Sequence, residues 1–215
     1  YSDVIIAQIK VWLEAAYDIN SDTMRTSLQS VLPFTSPYYA GDVSVGLIPE
    51  EVVDWIAVEL RSESDGEAID SLSMFLKKDG SIVMPDGISK PTFTAVTAGE
   101  YYVVIRHRNH LALMSKNKAS INPMSHPSIS MINLSDIANI YGDGSGIKQL
   151  ESTVYGMISG ETNNSNIITN SDKDAVIADK NKQGYYPSDT NFSGIVTNSD
   201  KDAIIENKNL SSSVP

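Results

Sequence analysis

The chain has 215 residues, 41% hydrophobic and 20% charged, which suffices for a buried core in one large or two modest domains and excludes a disordered tail. Its 16 Lys and Arg against 27 Asp and Glu leave a net charge of −11, which argues against nucleic-acid backbones and favours cations or plain solubility. Cysteine is absent, excluding disulfides, thiolate metal sites and cysteine nucleophiles, and no apolar run approaches the ~18–20 residues of a membrane-spanning helix.

From the N-terminus the pattern reads as β-structure. Ile5–Glu14 alternates, with Ile5, Ala7, Ile9, Val11 and Leu13 on one face and Gln8, Lys10 and Glu14 on the other. Val4 and Ile6 break the rule by being apolar on the face expected to be wet. A strand apolar on both faces needs cover on both, and donation into a neighbouring subunit's open sheet would supply it. An outer face covered by a loop of the same chain would serve equally. Glu50–Val53 fits a short turn of helix. Val52–Arg61 alternates again, with Val52, Ile56, Val58 and Leu60 against Asp54, Glu59 and Arg61. Ser73–Met84 predicts a hairpin turning at Lys78-Asp79-Gly80, where glycine supplies the positive φ that a tight turn demands. Tyr101–His107 is a strand of aromatic and β-branched residues, and Leu111–Ser115 continues or partners it. Many short strands punctuated by proline, without βαβ alternation, predict a β-sandwich or jelly-roll-like domain over residues 1–150.

The organisation changes near residue 155, and residues 151–215 carry an internal repeat. Ile168–Ile177 (ITNSDKDAVI) recurs as Val196–Ile205 (VTNSDKDAII), a period of about 28 residues. Each copy follows a polar loop rich in oxygen donors. Glu161, Asn163, Ser165, the Ile167 carbonyl, Thr169 and Asp172 fall at positions one, three, five, seven, nine and twelve of the first loop. Asp189, Asn191, Ser193, the Ile195 carbonyl, Thr197 and Asp200 do so in the second. This is the ligand spacing of an EF-hand loop, in which alternate residues of a tightly curled chain point inward to give a hard cation six or seven oxygens. Two Ca²⁺ sites are therefore expected. Gly194 suits the sharp turn at position six of the second loop, and Asn166 tolerates it in the first. Ile168 and Val196, at position eight, should pair the loops and plug them into a core. Two carboxylates per loop predict modest affinity, suited to calcium-rich extracellular fluid.

The duplicated loop-helix over roughly 156–209 resembles dockerin, a calcium-binding module of two facing half-EF-hands. That resemblance implies a small α-helical module that needs calcium to fold and binds a cohesin partner through its helices. The sequence departs from the family in its Asn and Ser ligands, in Glu161 and Asn166, and in Asn170-Ser171 and Asn198-Ser199 where partner-recognition pairs lie. A second resemblance rests on Val11–Glu14, Thr35–Tyr38, Val53–Arg61 and Tyr102–Leu111. These strings are similar to uncharacterised C-terminal regions of secreted Bacteroidetes-type surface proteins, which run into a dockerin-like repeat ending near a Val-Pro.

Other motifs carry less. His107-x-x-His110 would share a face on a helix but not along a strand, so it reads as a hydrogen-bonded strand-end cluster unless a turn after Arg108 reunites the rings. His126 reads as loop. Gly142–Gly146, with Asp143, lacks the nucleophile-elbow glycine and the phosphate-loop lysine and reads as an inter-domain loop. Glu50, Glu51, Glu63, Asp65 and Glu67 are solvated loop residues. Trp12, Trp55, Tyr38, Tyr39, Tyr101 and Tyr102 are either core or a sugar-stacking platform. Asp22-Thr23-Met24 and Asp70-Ser71-Leu72 resemble a short bacterial O-glycosylation motif.

The sequence thus predicts a non-enzymatic, calcium-stabilised structural or assembly protein. It is expected outside the cell or on its surface, and the opening Tyr1, with no Met, fits a processed chain. Self-association into a homo-oligomer or filament through strands, involving Val4 and Ile6, is the expected mode. A carbohydrate-binding or adhesion module docked to a cohesin-like or glycan partner is the alternative.

Overall fold

The computed structural model describes residues 4–6, 8–39, 43–123, 131–142 and 144–215. His126 and Asp143 lie outside the described residues, as do the side chains of Val4 and Ile5. In chain order the strands are β1 (Val4–Ile5), β2 (Gln8–Lys10), β3 (Tyr17–Asp18), β4 (Thr23–Met24), β5 (Val52–Arg61), β6 (Asp70–Lys77) and β7 (Ile82–Val83). They continue as β8 (Thr92–Phe93), β9 (Gly99–His107), β10 (His110–Met114), β11 (Ala119–Pro123), β12 (Met131–Asn133), β13 (Ile147–Glu151) and β14 (Val154–Met157). The helices are α1 (Asn170–Asp179) and α2 (Asp200–Glu206). The chain is mainly β.

The main sheet is antiparallel and runs β7-β6-β5-β9-β11-β1-β8, with β10 added on β9. β9 is its branch point. One edge of β9 pairs with β5, Ala57 opposite Arg106 and Arg61 opposite Tyr102. Its other edge is shared end to end by β10 and β11, with Leu113 opposite Ile105 and Ala119 opposite Tyr101. The β6–β7 hairpin forms as predicted, with Gly80 at φ 82°.

Three expectations change in the structure. Ile5–Glu14 is not one strand. β1 sits between β11 and β8, and β2 leaves the sheet to pair in parallel with β12. Ile9, Val11 and Leu13 are buried as the alternation required, but Ile6 is also fully buried, in this chain's own core. The apolar residue on the wet face is therefore covered from within. Second, Glu50–Val53 is not helical: Glu51 takes a left-handed φ of 67° and the chain enters β5 at Val52. Third, all ten residues of β5 are buried, including Asp54, Glu59 and Arg61, because each polar side chain meets a partner from another segment.

The large core holds Trp55, Phe75, Phe93 and Leu13. A smaller core joins Ile168, Val176, Val196 and Ile204 of the repeat to Leu111 and Ile158. The division drawn at 150/151 falls inside the β13–β14 hairpin, so strand structure runs to Met157, which is buried in the main core.

Candidate functional site

The two repeat loops fold alike and have most of their internal hydrogen bonds in common. In the first, Glu161 Oε1 accepts from the amides of Ser165 (2.8 Å) and Asn163 (3.3 Å). Asn163 Oδ1 accepts from Ser165 N (3.0 Å), and Ser165 Oγ donates to the Ile167 carbonyl (2.8 Å). Asp172 closes the loop from the helix: Oδ1 accepts from Thr162 N (2.8 Å) and Oδ2 from Thr169 N (2.8 Å). In the second loop Asp189 Oδ1 accepts from Ser193 N (3.0 Å) and Oδ2 from Gly194 N (2.8 Å). Asn191 Oδ1 accepts from Ser193 N (2.9 Å), and Ser193 Oγ donates to the Ile195 carbonyl (2.9 Å). Asp200 Oδ1 accepts from Asn191 N (3.2 Å) and Oδ2 from Thr197 N (2.7 Å). Ten of the twelve residues singled out in the sequence lie in these two loops, and Asp172 and Asp200 face them from the first turns of α1 and α2.

The backbone explains the curl. Asn164 and Asn166 are left-handed at φ 59° and 63°, and Phe192 and Gly194 at 62° and 77°. Positions four and six thus bend both loops, and asparagine or glycine bears this at low cost. Phe192 is the exception, held by its surroundings. Each loop is backed by the segment that follows the other helix. Asn181 N and Lys182 O bond Val196, while Leu210 O and Asn209 N bond Ile168. The twelfth-position aspartate also caps its helix: Thr169 and Asp172 form a reciprocal capping box at the start of α1. The Thr-x-x-Asp spacing, present twice, carried that second signal in the sequence.

The electrostatics are unusual. Glu161 is 3% exposed, and Asp172, Asp189 and Asp200 are fully buried. Burial raises the Glu161 carboxyl above its ordinary range, and the neighbouring Asp172 adds to the rise against the amides that lower it. Burial likewise raises Asp189, with Asp200 adding to it. Each loop therefore holds two mutually repelling buried carboxylates amid neutral amide, hydroxyl and carbonyl oxygens. A hard divalent cation fits that donor set, because it wants oxygen ligands and removes the repulsion. Among the described residues no group of three or more His, Cys, Asp or Glu is placed to hold a metal ion, so each loop's candidate donors are its two carboxylates with neutral oxygens.

The second loop rests on a buried polar cluster at the tip of β9–β10. A two-residue turn at Arg108-Asn109 makes His107 and His110 cross-strand neighbours, which reunites the rings. His110 Nε2 accepts from Ala15 N–H (3.3 Å), so its proton sits on Nδ1, facing Asn109 Oδ1 (2.8 Å) and His107 Nδ1 (3.0 Å). His107 then carries its proton on Nε2, 3.2 Å from Asp54 Oδ2. Asp54 also accepts from Arg108 Nε (3.1 Å) and the Tyr185 hydroxyl (2.7 Å). Burial raises the Asp54 carboxyl, but Arg108, His107 and Tyr185 outweigh it and the net direction is down. The Arg108 guanidinium lies 4.2 Å from the Tyr185 ring centroid and 5.2 Å from that of Phe192, and donates to the Tyr186 carbonyl.

The remaining candidates do not assemble into a site. Trp12 and Trp55 are core residues, Trp55 against Phe75 at 4.0 Å, so neither offers a stacking face to a sugar. Tyr102 packs edge-on against Tyr141, and Tyr101 hydrogen-bonds the Thr97 carbonyl. Glu50, Glu51, Glu63, Asp65 and Glu67 are exposed. No helix of the described residues is long and apolar enough to cross a membrane.

No protein-family model and no curated protein matches the sequence. Two solved structures are similar in part. Both are type II cohesin–X–dockerin complexes from Acetivibrio cellulolyticus, one a C-terminal and one an N-terminal interface mutant. Their matching chains are 16% and 18% identical, with 74% of this chain and 83% of each of those chains covered, at TM-scores of 0.41 and 0.38. Likeness of that degree assigns neither family nor function.

Proposed function

We propose that this chain is a non-enzymatic docking module of the extracellular surface, whose C-terminal repeat binds two Ca²⁺ ions and engages a protein partner. The observation that carries the reading is the matched pair of loops, each burying two carboxylates whose repulsion a bound cation would relieve. Binding an ion to the folded state alone stabilises it by RT ln(1 + [L]/Kd), about 2.7 kcal/mol per site at a hundredfold excess over Kd. Calorimetry should therefore find two Ca²⁺ per chain. Millimolar Ca²⁺ should raise the melting temperature by several degrees over EGTA, and equal melting in both would remove the reading.

The partner surface has its own signature. Ile177 on α1 and Ile205 on α2 occupy matching repeat positions and are 50% and 63% exposed. Ile167 and Ile195 form a second exposed pair at the loops. A pseudo-symmetric set of apolar anchors suits a protein partner of cohesin type. Replacing Ile177 and Ile205 together by Asp should abolish capture by a cohesin panel while leaving the calcium-dependent melting unchanged. Strand donation by the N-terminus loses its motive, because β1 and Ile6 are taken up by the chain's own sheet and core. A glycan platform loses its tryptophans.

A further inference from the structure

The two loops share most of their internal bonds, but the second is also held at its leading carbonyls by side chains from the preceding β-structure. Four consecutive carbonyls at its first four positions each accept from a side chain of the preceding β-structure. Asn109 Nδ2 donates to Asp189 O (2.8 Å) and Ser159 Oγ to Thr190 O (2.9 Å). Arg25 Nη2 donates to Asn191 O (3.4 Å) and Ser27 Oγ to Phe192 O (2.6 Å). Among the described residues, no such side chain reaches the matching carbonyls of Glu161, Thr162, Asn163 or Asn164. The asymmetry extends to position four. Asn164 is exposed in the first loop, whereas the Phe192 ring is 1% exposed, 5.8 Å from each of the His107 and His110 rings.

The physical consequence follows from the planar trans peptide, in which a carbonyl and the next N–H point in opposite directions. Holding the carbonyls of Thr190 and Phe192 outward turns the amides of Asn191 and Ser193 inward. Those are the amides that donate to Asp200 Oδ1 (3.2 Å) and Asp189 Oδ1 (3.0 Å). The outer donors thereby fix where both carboxylates stand before any ion arrives.

We infer that the β-structure is the outer shell of the second loop: Asn109, Ser159 and Ser27 are positioning residues that preorganise it, so it binds a divalent cation more tightly than the first. This rests on the calcium reading of the loops. By linkage the effect is reciprocal, and calcium in the second loop holds the repeat against the sheet. Loss of outer-shell partners typically weakens a metal site 10–100-fold.

The test is a calorimetric Ca²⁺ titration of the full chain in two backgrounds, Asp172→Asn to silence the first loop and Asp200→Asn to silence the second. Adding Ser27→Ala and Ser159→Ala should weaken Ca²⁺ binding about 10-fold or more in the Asp172→Asn background and less than about 2-fold in the Asp200→Asn background. Unchanged affinity in the first background, or equal loss in both, overturns the inference and leaves calcium binding standing. Absence of Ca²⁺ binding by the unaltered chain overturns the calcium reading and the inference with it. Should the double variant fail to fold, Ser27→Ala alone, at an exposed residue, makes the same comparison.

Discussion

His107 and His110 show how far one residue's role depends on its neighbours. Along a continuing strand they would point apart, but the Arg108-Asn109 turn places them opposite each other. Both rings are buried and hydrogen-bonded as neutral tautomers. Burial pushes the pKa of both below the ordinary histidine value, with the other ring and Arg108 adding to the fall for His110 and Asp54 opposing it for His107. The unfolded chain titrates near 6.5 and so binds more protons than the folded one below that pH. The stability that the neutral pair contributes is full above pH ~6.5 and is lost as the pH falls. Asp54 adds loss only further down, through the carboxylate range. Urea denaturation should lose roughly 1 kcal/mol or more between pH 7.5 and 5.5, and His110→Gln should flatten that slope. An unchanged slope in the variant would contradict the assignment. The His-x-x-His spacing was legible in the sequence. Its use as a seat for Phe192 was not, because contacts across 80 residues leave no local pattern.

At the level of elements, periodicity succeeded where pairing is local. β5 follows from alternation, β9 from its aromatic and β-branched residues, and the β6–β7 hairpin from one well-placed glycine between apolar runs. It failed where cover comes from afar. The polar face of β5 reads as wet, yet Asp54 meets Arg108 and Tyr185, while Glu59 meets Arg106 (2.7 Å) and Arg61 (3.2 Å). The N-terminal segment failed for the same reason: Ile6, read as an apolar residue on a wet face, is covered by the chain's own core. Ile6→Ala should therefore cost about 2–5 kcal/mol in the isolated chain, as truncation of a fully buried side chain does. A loss below about 0.5 kcal/mol in urea denaturation would show that its cover comes from another molecule.

At the scale of the molecule, the chain's last residues bind the repeat to the sheet. Ser212 Oγ donates to Ala112 O (2.8 Å), Ser213 Oγ to Tyr141 O (2.8 Å), and Arg61 Nη1 to Pro215 O (3.0 Å). Val214 is buried with Val104, Ala112 and Met114. The same segment supports the first loop, where Ser212 N bonds Asn166 O and Leu210 O accepts from Ile168 N. Val214→Asp would bury an unpaired charge and should release this strap, so hydrogen exchange at Asn166 and Ile168 should accelerate while exchange in β5 holds. Uniform acceleration would point instead to global destabilisation.

The sequence by itself determined the mainly β character, the repeat, the two loops and the oxygen-bearing residues at their alternate positions, because those depend on spacing along a few consecutive residues. Tertiary structure alone decided that the repeat and the sheet share a core, that β1 completes its own sheet, and that side chains from the preceding β-structure anchor four carbonyls of the second loop. Those outcomes depend on which distant segments meet, and a hydrogen-bond donor at Ser27 carries no local mark of the carbonyl at Phe192 that it will find.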